Sequence, residues 1–354
     1  MRLLFLTPQL PYPPHQGTAL RNWGLIHGLA VRHEITLLSF AEAGQTVDDT
    51  LRAICRRIVT VPVPRRTWAD RVRTLLFSRE PDMARRLASD EFRRALLELL
   101  DGDDGGDDLP GRLYDAAHIE GIELAAYLPD VSAALHNGIT LYDAHNAETL
   151  LQQRAFETDR RSPNRWPGAL YSLIQSRRLA HFESETLRLA DRVLCVSEED
   201  SRALRSLVPT CDPVIIPNGI HLSGYDTFIQ NSPSAISHQP SAILFTGKMD
   251  YRPNVDAALW FADAIFPRIR AARPEAQFVV VGQRPHARLN VLAGRPGIVL
   301  TGTVSDIRPY LAAAAVYVAP LRMGGGTRFK LLEAMAMRKA IVSTTVGAEG
   351  FAAR

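Results

Sequence analysis

Short apolar runs alternate with longer amphipathic stretches through most of this chain, and this alternation is the strongest constraint on its fold. The run at 2–7 (RLLFLT) is followed by a stretch with helical spacing at 18–33 and by a second apolar run at 34–40. Short buried runs are typical of parallel strands, and the stretches between them are typical of crossover helices. The sequence therefore predicts an α/β fold built on parallel sheets.

The alternation occurs in two blocks, separated by a polar segment. The segment 231–241 (NSPSAISHQPS) is rich in serine and proline, as linkers are. A chain of 354 residues suits two domains. We predict an N-terminal domain at 1–230, a linker at 231–241, and a C-terminal domain at 242–354 with a five-stranded parallel sheet. Such pairs of domains usually bind a ligand beyond the carboxyl ends of their strands, in the cleft between them.

Composition argues against several classes of protein. A formal net charge of +3 gives no support for nucleic-acid binding. No window approaches the ~18 apolar residues of a membrane span, and the apolar run at 3–6 is too short for a secretory signal. The three cysteines are far apart and lack metal-site spacing, which is typical of a reducing compartment. We expect a cytoplasmic protein.

Two charged segments could indicate membrane contact or a metal site, but the support for each is weak. The stretch 71–100 is basic and partly amphipathic, which suits either an ordinary solvated helix or peripheral contact with the inner face of a membrane. The acidic segment 101–111 lacks the regular ligand spacing and the closing glutamate of a calcium loop. We expect no metal site there.

The stretch 320–350 contains the strongest local motif. Glycines at a strand-to-helix turn let the backbone approach a ligand, and a helix start offers free N–H groups to an anion. Thr327 is placed to cap the helix, and Glu333, about one and a half turns into the helix, is placed to accept hydrogen bonds from ribose hydroxyls. The alternative is a flexible loop before a core helix, with Glu333 in a surface ion pair. The members of this motif are Gly324, Gly325, Gly326, Thr327, Arg328, Lys330 and Glu333.

Other candidates stand directly after predicted strands. They are Gly17, His145, Gly247, Lys248, Arg252 and Gly282. Two cations beside a strand end, Lys248 and Arg252, suit a diphosphate, whose charge they would neutralise. A solvated basic loop is the alternative for these cations, and an ordinary βα turn is the alternative for Gly17.

With these residues in place, the chain resembles the retaining GT-B glycosyltransferases of family 4, and most of all the bacterial sugar transferases of surface or exopolysaccharide assembly. The resemblance runs over nearly the whole chain and is strongest from 243 to 350. The motifs that carry it, in chain order, are YDAHNAE, ADRVLCVSEED, IIPNGI, FTGKMDYRPNVDAALWF, VVVGQRP and GGGTRFKLLEAMAM. It implies two Rossmann-like domains that face a cleft.

The resemblance also implies roles for individual residues. The C-terminal domain would bind a UDP-, GDP- or similar nucleotide sugar, with Lys248 and Arg252 on the diphosphate and Glu333 on the ribose. The N-terminal domain would bind a glycan or lipid-linked acceptor. His145 would orient the transferred sugar and stabilise positive charge near its reacting carbon. Gly17 matches the family's N-terminal glycine loop, and Asn218–Gly219 matches its PNG turn. We expect no metal and no other cofactor.

The chain departs from the family pattern in two places. Gly325 stands where the family often has a second glutamate, so the amides of 324–327 are expected to hold the sugar hydroxyls instead. The chain stops at Arg354, where the family continues, so we expect a truncated C-terminal domain. Two other functions stay open: another GT-B enzyme, such as a phosphorylase or nucleotide-sugar epimerase, and a non-catalytic nucleotide-sugar binding protein.

Overall fold

Twelve strands form two parallel sheets in the computed structural model, which describes residues 1–14, 17–101, 114–135, 137–160, 166–231, 241–324 and 328–351. The chain divides into two compact units, Met1–Asn218 and Gly219–Arg354. Each unit contains one of the sheets, as the sequence predicts.

The sheet of the first unit has seven strands in the order β3-β2-β1-β4-β5-β6-β7. Its strands are β1 (Arg2–Thr7), β2 (Glu34–Ala41), β3 (Arg57–Pro62), β4 (Ala116–Glu120), β5 (Ile139–Ala144), β6 (Arg192–Cys195) and β7 (Val214–Ile215). Side chains alternate between the faces of a strand, so Leu4 and Leu6 enter one hydrophobic cluster while Leu3 and Phe5 enter another. Burial of both faces explains why β1 is a continuous apolar run.

Helices cover both faces of this sheet. They are α1 (Gly17–Ala30), α2 (Asp49–Ile54), α3 (Trp68–Phe77), α4 (Asp82–Arg85), α5 (Asp90–Asp101), α6 (Leu128–Ala134), α7 (Glu148–Arg160), α8 (Trp166–Leu189) and α9 (Glu198–Leu207). Thr67 and Asp70 form a capping box at the start of α3. The start of α7 is capped from α8, because the carboxylate of Glu183 accepts hydrogen bonds from the backbone N–H groups of Glu148 (3.0 Å) and Thr149 (3.1 Å).

The sheet of the second unit has five strands in the order β10-β9-β8-β11-β12. Its strands are β8 (Ala242–Thr246), β9 (Gln277–Val281), β10 (Ile298–Gly302), β11 (Val316–Ala319) and β12 (Ala340–Ser343). The helices of this unit are α10 (Ser223–Asn231), α11 (Arg252–Trp260), α12 (Phe266–Ala272), α13 (Arg308–Ala313) and α14 (Phe329–Ala336). The stretch 254–272, which the sequence predicts as one helix, is interrupted by a π-helical turn at Phe261–Ile265, and a proline stands in the first turn of α12.

The boundary between the units lies earlier than predicted. Helix α10 falls in the predicted N-terminal domain of 1–230, yet Tyr225 and Phe228 pack in one hydrophobic cluster with Leu311 and Leu331 of the second unit. Residues 219–231 therefore belong to the second unit, because the half-buried apolar face of α10 packs there. Of the predicted linker at 231–241, residues 232–240 lie outside the described residues.

Each sheet has a point where the chain connections reverse direction. In the first sheet this point lies between β1 and β4, and in the second it lies between β8 and β11. Open parallel sheets bind ligands beyond the carboxyl ends of the strands at such points. Gly247 and Lys248 follow β8, and Gly324 and Arg328 lie between β11 and α14. Within the described residues, no helix is long and apolar enough to span a membrane.

Candidate functional sites

Glycines bring the loops after β8 and β9 into close contact in the second unit. A Cβ on Gly282 would lie 1.9 Å from the carbonyl oxygen of Gly247, so only glycine fits at this crossing. A Cβ on Gly247 would in turn lie 2.7 Å from Nδ2 of Asn254 and 2.8 Å from Nζ of Lys330. The bare backbone of Gly247 therefore lies directly against a cation and an amide.

Asn254 connects two of the predicted cationic positions. Its Oδ1 accepts a hydrogen bond from Nζ of Lys330 (2.8 Å), and its Nδ2 donates to the backbone oxygen of Lys248 (2.9 Å). Nζ of Lys330 also lies 4.6 Å from the centroid of the Phe245 ring, a cation–π contact. The structure thus brings together Gly247, the backbone of Lys248 and the side chain of Lys330. The sequence analysis missed Asn254, although it stands two residues after Arg252 in the same motif.

Burial sets the charge of Lys330 and Glu333 near neutral pH. For Lys330, burial lowers the pKa to about 7, with a further lowering by the charge of Arg328 and an opposing effect of Glu333. For Glu333, burial raises the pKa to about 7, and the hydroxyl of Tyr225 and the charge of Lys330 oppose that rise. Tyr225 Oη donates to Glu333 Oε1 over 3.2 Å. An anion bound at this cluster would therefore change the protonation of Lys330.

Lys248, Arg252 and Gly324 are the other predicted residues of the second unit that the structure describes. Nζ of Lys248 lies 3.8 Å from Oδ1 of Asp250, a partly exposed ion pair, and Arg252 is the first residue of α11. Gly324 has a left-handed φ of 111°, and a Cβ there would lie 2.9 Å from Nη2 of Arg328. Gly325, Gly326 and Thr327 lie outside the described residues. Because α14 begins at Phe329, Arg328 and not the predicted Thr327 stands at its N-cap position.

A chain of buried ionic side chains lies at the carboxyl ends of β4 and β5 in the first unit. Arg21 donates to both carboxylate oxygens of Asp143, through Nε (2.8 Å) and Nη2 (2.9 Å). Nε2 of His118 lies 2.7 Å from Oε1 of Glu120 and 3.4 Å from Oδ2 of Asp143. Nε2 of His145 contacts the other oxygen of Glu120. Because Glu120 and Asp143 are register partners on adjacent strands, their side chains lie on the same face of the sheet.

The carboxylates favour the protonated form of both histidines against the cost of burial. Burial by itself lowers the pKa of His118, but the charges of Glu120 and Asp143 outweigh it and raise the pKa to about 9. The contact between His118 and Glu120 lacks hydrogen-bond geometry, so charge attraction is its main component. Burial likewise opposes protonation of His145, and Glu120 again outweighs it and raises the pKa.

His118, Glu120 and Asp143 also meet the distance requirement of a metal site. One ligand atom from each lies within 4.8 Å of the others. However, both oxygens of Asp143 accept hydrogen bonds from Arg21, and each oxygen of Glu120 contacts a histidine. A cation placed here would face the guanidinium of Arg21. The donor set therefore fits a buried ion-pair network better than it fits a metal.

This network contains residues that the sequence analysis missed. Arg21 also donates through Nη1 to Oδ1 of Asn218 (3.0 Å), which ties the predicted PNG turn to α1. Gly17 begins α1, one turn before Arg21. One feature of the sequence could have indicated the network. His118 and Glu120 are polar residues at alternate positions of the buried strand β4, so both lie on the same face of the sheet.

A further carboxyl group lies beside His145. Burial and the charge of Glu123 raise the pKa of Glu148 to about 8, and the amide of Asn146 opposes this rise by donating to Oε1 of Glu148 over 3.1 Å. Glu148 is thus largely protonated at neutral pH. Glu148 is also the first residue of α7. The sequence pattern therefore indicates a helix start at this position but not a carboxyl group beside His145.

Comparison with known proteins identifies the architecture. Residues 240–353 match the family model "Glycosyl transferases group 1". WaaG, a glycosyltransferase involved in lipopolysaccharide biosynthesis, is 15% identical with a TM-score of 0.59, and the match covers 99% of this chain and 82% of WaaG. This chain has a GT-B fold.

Two other solved structures share the GT-B fold with this chain. The UDP-forming α,α-trehalose-phosphate synthase of Burkholderia xenovorans, in complex with glucose-6-phosphate, is 12% identical with a TM-score of 0.61, and the match covers 99% of this chain and 86% of the synthase. HepE of Anabaena, in complex with UDP-glucose, is 13% identical with a TM-score of 0.56, and the match covers 98% of this chain and 81% of HepE. At these identities, the similarity establishes the fold alone.

A curated relative is similar to part of the GT-B chain. It is an uncharacterized 44.6 kDa protein in the cps region of Klebsiella pneumoniae, 19% identical over 116 residues. The match spans 30% of this chain and 30% of that protein.

Proposed function

We propose that this protein is a glycosyltransferase that moves a sugar from a nucleotide-diphosphate sugar to an acceptor hydroxyl, with retention of anomeric configuration. The observation that carries the proposal is the cluster of Gly247, Asn254, Lys330 and Glu333 at the point where the second sheet reverses its connections. The family match of residues 240–353 supports it, because that match contains all four residues.

The second unit would bind the donor. The cations Lys248, Arg252 and Lys330 would stabilise the charge that develops on the leaving diphosphate, which is the electrostatic route to catalysis. With this charge supplied by side chains, the reaction needs no metal. Glu333 would accept hydrogen bonds from the ribose. Because HepE, a fold neighbour, has been solved in complex with UDP and with UDP-glucose, UDP is the first nucleotide to test.

The first unit would bind the acceptor, and His145 is assigned to the transferred sugar as the resemblance to family 4 implies. We assign the reaction to polysaccharide or glycolipid assembly. The relative in the cps region and the involvement of WaaG in lipopolysaccharide biosynthesis support this assignment.

We further propose that the first unit binds an anionic lipid surface through α3. No side chain of α3 is buried, and Trp68 and Phe77 are 78% and 83% exposed. Four exposed arginines lie on or beside this helix: Arg65, Arg71, Arg73 and Arg79. Helix α8 is joined to it through Arg178, which donates to the backbone oxygens of Thr74 (3.2 Å) and Leu75 (2.8 Å). Exposed tryptophan and phenylalanine beside arginines match the headgroup region of an anionic membrane.

A substrate screen followed by product analysis tests the enzymatic proposal. UDP, GDP, ADP and their sugars are screened by thermal shift, and the donor that stabilises the protein is incubated with lipid-linked acceptors. Transfer to the acceptor with retained configuration supports the proposal. Nucleotide release without an acceptor, or consumption of phosphate, would identify an epimerase or phosphorylase. Bound donor with no turnover would identify a binding protein.

Lys248→Ala tests the diphosphate assignment. The variant should lower kcat by roughly 10²–10³-fold, because it removes one stabilising charge from the transition state. Its melting temperature should stay unchanged, since the Lys248 side chain makes only a loose ion pair. Arg268→Ala removes an exposed cation from α12 and serves as the matched control. Near-normal transfer by Lys248→Ala would remove this residue from the mechanism.

A further inference from the structure

The ring of His145 is held from its buried side. Its Nε2 contacts Oε2 of Glu120, and only 18% of the side chain is exposed. A carboxylate on one ring nitrogen fixes both the tautomer and the orientation of an imidazole. The other nitrogen, Nδ1, is then the atom left for a ligand.

Glu120 is itself fixed by neighbours from two elements. Oε1 lies 2.7 Å from Nε2 of His118, and the His118 ring is stacked on Phe5 with centroids 4.6 Å apart. The side-chain amide of Asn22 on α1 lies 2.8 Å from Oε2, and the hydrogen-bond network assigns the amide nitrogen, a donor, to this contact. The carboxylate is fully buried. It therefore has little freedom to leave the imidazole of His145.

Gly121 provides space beside the free side of the ring. It follows Glu120 with a left-handed φ of 77°, and a Cβ there would lie 3.6 Å from Nδ1 of His145. A glycine is favoured at this φ, and it also leaves the ring edge uncovered. The turn after β4 thus places no side chain of residue 121 against Nδ1, and Oε2 of Glu123, 3.2 Å from the same Cβ position, is the other polar atom there.

We propose that Glu120, held by His118 and Asn22, is a positioning residue that fixes the imidazole of His145 through Nε2 and presents its Nδ1 to a hydroxyl group of the sugar. This inference rests on the proposed glycosyltransferase function for the identity of the ligand. A protonated ring donates from Nδ1 to the hydroxyl oxygen, and a neutral ring accepts the hydroxyl proton at the same atom. Whenever the ring is protonated, the negative charge of Glu120 balances it, so the pair adds no net positive charge beside the reacting carbon.

Several charged groups surround His145 and determine its protonation. Glu120 and His118 come from β4, Asp143 from β5 and Arg21 from α1. Two further carboxyl groups lie nearby, Glu148 at the start of α7 and Glu123 in the turn after β4. Burial disfavours the protonated ring, Glu120 and Asp143 favour it, and Arg21 disfavours it. Since Glu120 contributes the largest favourable part, its neutralisation should lower the pKa of His145.

The test is Glu120→Gln, observed by ¹H–¹⁵N NMR titration of the histidine rings. The His145 signals are assigned with His145→Gln. We expect a lower pKa for His145 and a mixture of its neutral tautomers at high pH. In transfer assays, kcat should fall about 10²-fold, the cost of a misplaced catalytic contact, while the Kd for UDP stays unchanged. The pH dependence of kcat should shift with the NMR pKa.

The exposed pair of His181 and Glu185 on α8 offers a matched control. Its atoms lie 3.4 Å apart, with 75% and 60% of the side chains exposed. Because this pair is exposed and lies outside the network of His145, Glu185→Gln should leave the signals of His145 and kcat unchanged.

The outcomes separate the positioning role from the proposed function. If the His145 signals and pKa in Glu120→Gln match the wild type, the positioning role is wrong. If they change but the wild type transfers no sugar, the positioning role stands and the glycosyltransferase proposal fails. Should Glu120→Gln not fold, Glu120→Asp keeps the charge and withdraws the carboxylate by one methylene. Unchanged His145 signals and kcat in that variant would also overturn the inference.

Discussion

Lys330 shows how one side chain can sense a bound anion. It is held between the amide of Asn254 and the face of Phe245, and burial lowers its pKa to about 7. A diphosphate within reach would favour the charged form and raise that pKa again. Binding should therefore be coupled to proton uptake at a pH where the free lysine is neutral.

Titration calorimetry of UDP binding at pH 8 tests this coupling. At this pH Lys330 is mostly deprotonated and Glu333 is mostly ionised, since both pKa values are about 7. We expect uptake of up to one proton, seen as a dependence of the binding enthalpy on the ionisation enthalpy of the buffer. Lys330→Met should abolish that dependence, and Glu333→Gln should keep it. A buffer-independent enthalpy in the wild type would place the phosphates away from Lys330.

At the scale of elements, the candidate site residues of both units lie at or beyond the carboxyl ends of strands. The loops after β8 and β9 meet through Gly247 and Gly282, and α14 supplies Lys330 and Glu333 to the same cluster. In the first unit, β4 and β5 place their polar residues on one face. Helix α3 differs from these elements because its side chains pack on no core.

The exposed face of α3 gives a prediction at this scale. Trp68→Ser with Phe77→Ser should weaken sedimentation with vesicles of phosphatidylcholine and phosphatidylglycerol (3:1) by at least about tenfold, since two aromatic anchors are lost. Binding by the wild type should decrease in high salt and on phosphatidylcholine alone, because the arginines contribute by charge.

Val31→Ser with Val291→Ser changes two other exposed apolar side chains and is the matched control. Equal vesicle binding by the α3 variant would contradict the membrane proposal. If the α3 variant instead converts a dimer to a monomer in light scattering, the surface binds a second copy of the chain.

At the scale of the whole molecule, the two units have separate roles in the proposed reaction. The donor cluster lies entirely in the unit Gly219–Arg354, and the ionic network of His145 lies entirely in the unit Met1–Asn218. A nucleotide alone should therefore affect only one of them.

Hydrogen exchange with UDP tests this division. UDP should slow amide exchange at 247–254 and 328–333, where the backbone and side chains of the donor cluster lie. Amide exchange at 118–148 should stay unchanged. The control is the same set of peptides from the variant Lys330→Met, measured with and without UDP, which shows whether the protection depends on nucleotide binding. Protection confined to the first unit would contradict the assignment of the donor to the second.

Much of the fold was predictable from local pattern. The apolar runs predicted each strand of the second sheet and the parallel architecture, because alternation and turn residues act over a few positions. The same reasoning misplaced the boundary at 230. A linker-like segment follows α10, and this led to the predicted boundary at its end. The contact between Tyr225 of α10 and Glu333 instead assigns the helix to the second unit.

The sequence by itself determined the two α/β blocks, the glycines after strands, and the positions of Lys248, Lys330 and His145 at strand and helix ends. Only the tertiary structure decided which residues face one another. Arg21 and Asp143 are 122 positions apart, and Lys330 and Asn254 are 76 apart. Such contacts depend on strand order and on which face of a helix is buried. Local periodicity predicts neither the strand order nor the buried face of a helix relative to distant elements, because it depends only on neighbours within a few residues.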